Sequence, residues 1–139
     1  MRDEPIWVDK PEVLVAHAMQ LAQHGGSDGV RDETLLDSAL AKPRNVFAYA
    51  EGVTLPRLAA SYAFGIARNY AFIDGNKRTA LVVCEGFLRL NGLTLTSSAE
   101  EIYLTFLRLA AGELSEEELT AWLQASMSPY ARPPSEVRQ

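Results

Sequence analysis

The sequence predicts an all-α protein, a compact bundle of about six helices with one short β-hairpin. Three observations carry this. Apolar residues recur at helical spacing along most of the chain. Capping-box patterns recur ahead of those runs, at Asp9–Glu12, Ser98–Glu101 and Ser115–Glu118. Glycine, proline and asparagine cut the chain into pieces of ordinary helix length.

The elements follow in order. Asp9-Lys10-Pro11-Glu12 supplies an N-cap carboxylate, an early proline and a glutamate at N3, and the helix it opens carries Val13, Leu14, His17 and Leu21 on one stripe. Gly25-Gly26-Ser27-Asp28-Gly29 ends it. A second helix is expected over Asp32 to Ala41, with Leu35, Leu36, Ala39 and Leu40 facing inward and Pro43 as the stop. Residues 44–53 hold aromatics without a helical period and read as a loop or short hairpin. Thr54-Leu55-Pro56 opens a third helix to about Asn69, whose Ala59, Ala60, Ala63, Gly65 and Ala67 suit close packing in the middle of a bundle. A fourth runs from Lys77 to Leu90 and ends at Asn91-Gly92. The fifth and sixth start at the two serine boxes, the sixth carrying Leu119, Trp122 and Leu123. One domain over residues 6–125 is expected, with residues 128–139, rich in proline, as a disordered tail.

The composition narrows the function classes. A 47% hydrophobic chain of 139 residues can build a core without staples. Its single cysteine, Cys84, lies in an apolar run and reads as a small buried hydrophobe, which suits a reducing cytoplasm. No signal peptide follows Met1 to Pro5, and no stretch reaches the ~20 apolar residues of a membrane span. A net charge of −5 argues against bulk nucleic-acid binding.

The chemistry concentrates in Asn69-Tyr70-Ala71-Phe72-Ile73-Asp74-Gly75-Asn76-Lys77-Arg78-Thr79-Ala80. One helix ends here and the next begins near Asn76. A helix start presents free amides and the positive end of the helix dipole, which together favour an anion. Lys77 and Arg78 place two cations where that dipole disfavours them, a local cost that an anionic ligand such as phosphate would offset. Gly75 lets the backbone approach closely, Asn76 offers amide hydrogen bonds, and Asp74 offers the hard oxygen with which Mg²⁺ is held beside phosphates. The plain alternative is an Asp-Gly turn and a solvated helix start.

The ordered run Phe-x-Asp-Gly-Asn-Lys-Arg resembles the signature of the Fic/Doc family, matched by Phe72, Asp74, Gly75, Asn76, Lys77 and Arg78. Gly29-Val30-Arg31-Asp32 with Leu35 to Pro43, and Gly86 to Gly92, are similar to flanking blocks of its Doc (death-on-curing) subgroup, so the resemblance spans about residues 6–125. It implies the Fic/Doc helical bundle and a bacterial toxin that pairs with a small antitoxin and transfers the γ-phosphate of ATP to a hydroxyl of a translation elongation factor. Asp74 would then bind Mg²⁺, and Gly75, Asn76, Lys77 and Arg78 the nucleotide. Phe72 would anchor the loop, and residues 44–53 would be a flap that takes the target as an added strand. Lys77, where most Fic adenylyltransferases carry glycine, favours phosphate over AMP transfer. A binding protein without activity is a third reading.

The departure is Tyr70, where the family places the histidine that acts as general base. Imidazoles titrate near neutrality and ordinary phenols near pH ~10, so the exchange predicts an impaired enzyme. His and Tyr codons differ by one base, and inactivation of a toxic chain, deliberate or spontaneous, is favoured over a natural variant. Asp74, Lys77 and Arg78 complete the candidate catalytic set.

Other residues have plainer readings. His17 is expected to be a satisfied core histidine, and His24 a helix C-terminal residue. Trp7 and Trp122 read as packing residues, Asn69 as structural, and Arg68 as either positioning or structural. Phe47 and Tyr49 are the candidate recognition aromatics.

Overall fold

A computed structural model describes residues 3–130. Its helices are α1 (Lys10–His24), α2 (Glu33–Tyr49), α3 (Leu55–Asn69), α4 (Asn76–Leu90), α5 (Ala99–Ala110) and α6 (Glu116–Ala125). Two three-residue strands, β1 (Leu93–Leu95) and β2 (Met127–Pro129), complete the fold. The bundle of six helices stands as the sequence predicts.

Helix α3 is the axis. Its small residues let neighbours close in on several sides, and Leu58 through Ala63 are buried without a break. At Gly65 a Cβ would come 3.2 Å from Ala39 Cβ, so glycine lets α2 and α3 pack closer than a side chain there would without a small shift. Tyr62, Ile66, Phe87 and Phe106 form the heart of the core, and α2, α4, α5 and α6 all pack on α3. Cys84 is fully buried, and burial pushes its thiol pKa up, which leaves it inert. Of the predicted α1 stripe, Val13 and His17 are buried and Leu21 half-buried, but Leu14 is 37% exposed.

The caps explain most helix starts. Asp9 with Glu12 and Ser115 with Glu118 form complete capping boxes. Asp32 Oδ1 accepts from Leu35 N at 3.0 Å. Ser98 caps Glu101 N at 3.1 Å, but the box is half made. Glu101 Oε1 accepts instead from Ser97 Oγ and Trp122 Nε1, at 3.4 and 3.1 Å.

Three expectations are corrected. Pro43 does not end α2; it lies buried inside a helix that continues to Tyr49. Tertiary contacts override the break. Arg44 pairs with Asp9 and lies 5.1 Å over the Trp7 ring, and Trp7 meets Phe47 edge-on at 5.8 Å. Residues 44–49 are therefore helix and 50–54 a turn, with no hairpin, and Phe47 packs on the core rather than facing a partner. The strands lie elsewhere. β1 and β2 pair antiparallel, with Leu93 opposite Pro129 and Leu95 opposite Met127, so Ser128 and Pro129 of the expected tail belong to a sheet. Tyr130 N also donates to Gly92 O at 2.8 Å, and residues 131–139 of that tail lie outside the described residues.

Tyr62 yields a stability prediction. Its hydroxyl donates to Val8 O at 3.0 Å and accepts from Val8 N at 3.1 Å, fully buried. Burial, partly opposed by the Val8 hydrogen bond, pushes the phenol up to about 12. Ionisation is thus harder folded than unfolded, where phenols titrate near ~10. The contribution is whole below the unfolded pKa and is lost as pH rises toward the folded one, about 3 kcal/mol in all. Urea unfolding followed from pH ~9 to ~12 should show this fall, and Tyr62→Phe should make it shallower by the Tyr62 share, leaving the part due to the buried Cys84 thiol, whose ionisation burial also opposes.

Candidate functional site

The site is built where α3 hands over to α4. Helix α3 stops because Tyr70 takes a left-handed backbone, φ 51° and ψ 46°, the one such non-glycine among the described residues. That conformation costs an L-residue about 1–2 kcal/mol and must be held by its surroundings. The preceding connector holds it. Val30 forms an antiparallel bridge with Phe72, the amides of Arg31 and Asp32 donate to Ala71 O at 2.7 and 3.1 Å, and Ile73 N donates to Gly29 O at 3.1 Å.

Phe72 anchors the loop as expected. It is 1% exposed and stacks on His17 with ring centroids 3.8 Å apart. His17 is the satisfied core histidine the sequence suggests, 4% exposed, with Nε2 2.7 Å from Asp74 O. Asn76 has a structural task that the sequence did not suggest. Its side chain clasps Phe72 on both sides, Oδ1 accepting from Phe72 N and Nδ2 donating to Phe72 O, each at 3.0 Å. The amide thus braces the loop, and its second Nδ2–H and the Asn76 backbone N–H are not used in these two bonds.

Helix α4 then starts without a side-chain cap, on Gly75 at φ 79°. Its first intrahelical bond is Thr79 N to Gly75 O at 3.0 Å, so the amides of residues 76–78 come before the ladder begins. A cleft of about 370 Å³ opens in front of them. Tyr70, Asp74, Gly75, Asn76, Lys77 and Arg78 all line it, with Ala67, Ile73 and Ala110. All the sequence-predicted site residues thus meet at one place. Tyr70 reaches across the cleft, its hydroxyl donating to Ala110 O of α5 at 2.9 Å. Lys77 Nζ lies 4.8 Å over the Tyr103 ring, and Arg78 is exposed.

Asp74 is held by backbone amides. Gly75 N donates to Oδ1 at 2.8 Å and Ser27 N to Oδ2 at 3.3 Å. A Cβ on Gly26 would come 2.8 Å from Asp74 Oδ2, so the glycine turn after α1 shapes the seat of this carboxylate. Among the described residues no group of three or more His, Cys, Asp or Glu side chains forms a metal cage. A single exposed carboxylate beside an uncapped helix start has the donor chemistry Mg²⁺ accepts, since that ion takes one or two carboxylates and completes its shell with water and phosphate.

Sequence reasoning missed Arg31, Ser27, Tyr103 and Ala110. Arg31 lay in a block already singled out, but its contact with residues 69 and 70 crosses 38 and 39 positions and leaves no local signal. Arg68 lies 5.3 Å over Phe64 and beside Gly112, a packing role. Asn69 is structural: its carbonyl accepts from Arg31. Tyr49 is 86% exposed, at the end of a helix rather than on a flap.

A helical bundle that sets Phe72, the acid, the glycine and the basic pair in this order at an uncapped helix start has the Fic/DOC layout. The sequence model of the Fic/DOC family matches residues 7–88, and the chain belongs to that family. It is similar to the "Toxin Doc" of Mycolicibacterium smegmatis, 41% identical over 95 residues that cover 66% of this chain and 68% of the relative. It is also similar to the "Protein kinase doc" of Escherichia phage P1, 36% identical over 106 residues, which cover 76% of this chain and 83% of the relative.

Proposed function

We propose that this chain is a Doc-type toxin that transfers the γ-phosphate of ATP to a hydroxyl of a translation elongation factor and is neutralised by a small antitoxin. Tyr70, at the place of the family's base, makes the transfer slow. The observation that carries this reading is the convergence of residue 70, the Asp74 carboxylate and the basic, uncapped start of α4 on one cleft. The relatives' names, a toxin and a protein kinase, support it.

Each residue then has a role. The amides of residues 76–78 with Lys77 and Arg78 bind phosphate, and Asp74 holds Mg²⁺, which would offset the charge that develops on the phosphate oxygens. Gly75 keeps the helix start free of a side chain. Residue 70 faces the target hydroxyl and governs removal of its proton. Phenols keep their proton at neutral pH where imidazoles exchange theirs, so that removal is the slow step. A cytoplasmic setting goes with the target, and no described helix is long and apolar enough to cross a membrane.

Calorimetric titration of the protein with ATP and Mg²⁺ tests the site. Arg78→Ala should weaken binding roughly tenfold or more, through loss of a charge-assisted contact. Asp74→Asn should remove the dependence of affinity on Mg²⁺. Unchanged binding in both folded variants would place the nucleotide elsewhere and end the proposal.

A further inference from the structure

The connector between α1 and α2 carries a side chain that grips the end of α3 beside the site. Arg31 Nε donates to Tyr70 O at 2.6 Å, and Arg31 Nη2 donates to Asn69 O at 3.1 Å. The last carbonyls of a helix have no intrahelical partners and form the negative end of its dipole. A planar guanidinium can answer two of them at once in fixed directions, whereas an ammonium acts as a single point charge. The carbonyl that takes the shorter of the two bonds belongs to Tyr70, whose left-handed turn directs its side chain across the cleft to Ala110. The arginine is itself fixed, because its own amide and that of Asp32 are bound to Ala71 O.

We propose that Arg31 is the positioning residue of the site: by gripping the carbonyls of residues 69 and 70 it sets the backbone turn that aims the side chain of residue 70 into the cleft. It touches neither nucleotide nor target and acts through residue 70 alone. The inference rests on the cleft being the transfer site, and it can be tested apart from that reading.

The first measurement uses the protein as it is, with NMR of ring-labelled tyrosines. In Arg31→Ala the Tyr70 resonances should shift and broaden, while those of Tyr62 and Tyr103 stay in place. Arg31→Lys should move Tyr70 part of the way. Tyr70 resonances that stay put in folded Arg31→Ala overturn the proposal. If that variant does not fold, the same signals in Arg31→Lys decide it.

The second measurement uses the Tyr70→His background. Adding Arg31→Ala should lower kcat roughly tenfold or more while the KM for ATP stays within about twofold, since misaiming a base affects the chemical step and not nucleotide binding. Arg31→Lys should restore part of the loss. A loss that follows only the unfolded fraction, or that lies in KM, reduces Arg31 to a structural residue and overturns the proposal. If Tyr70→His shows no transfer at all, the toxin reading falls, and the NMR result alone judges Arg31.

Discussion

Tyr70→His should raise the transfer rate of the purified protein by about 10²–10⁴, the usual worth of a general base. It should also stop growth of a host that lacks the antitoxin. The backbone is ready for the change. Residue 70 sits at φ 51° and ψ 46°, a region in which histidine is enriched among non-glycine residues. The tyrosine spans the cleft to Ala110 O at 2.9 Å, and the shorter imidazole would free that space for a target hydroxyl. Tyr70→Phe is the control: it breaks the same contact without supplying a base, and its rate should not rise. The assay is transfer of the γ-phosphate to purified elongation factor, with the adduct mass separating phosphate from AMP. A folded Tyr70→His protein that binds ATP and transfers nothing would leave a binding role as the better account.

Phe72→Ala should cost about 3–5 kcal/mol of stability, the range for truncating a buried phenylalanine. The ring is 1% exposed and stacks on His17 at 3.8 Å. Its backbone is clasped by Asn76 and bridged to Val30, so the void opens where the loop, α1, α4 and the connector meet. Urea unfolding should show a lower midpoint with little change in slope. Nucleotide binding should fall as well, because Asp74 and Gly75 follow directly from this anchor. A loss below about 1 kcal/mol, within the ordinary run of point mutants, would mean that the loop stands without it.

Much of the site was legible because the signals for it are local. An acid, a glycine and two cations ahead of a helical run mark a helix start with free amides and the positive dipole end, since both belong to the helix end itself. Asn76 shows the limit. An amide at a helix start reads equally well as a ligand contact or a loop brace, and the brace becomes visible only in its two bonds to Phe72. Arg31 shows the opposite limit, a residue without local meaning that the fold carries to the carbonyls of residues 69 and 70.

The sequence by itself determined the six helices, most of their caps and the place of the run from Asp74 to Arg78 at a helix start, because helical period and capping chemistry act within a few residues. Tertiary structure alone decided that α2 passes through Pro43, where the buried proline ring and the packing of Phe47 on Trp7 and the core carry the helix past the break. It also decided the pairing of β1 with β2, whose three-residue strands are too short to carry a period and meet only after α5 and α6 have folded back onto α3. The left-handed turn at Tyr70 is of the same kind, a conformation that local preference resists and distant hydrogen bonds impose.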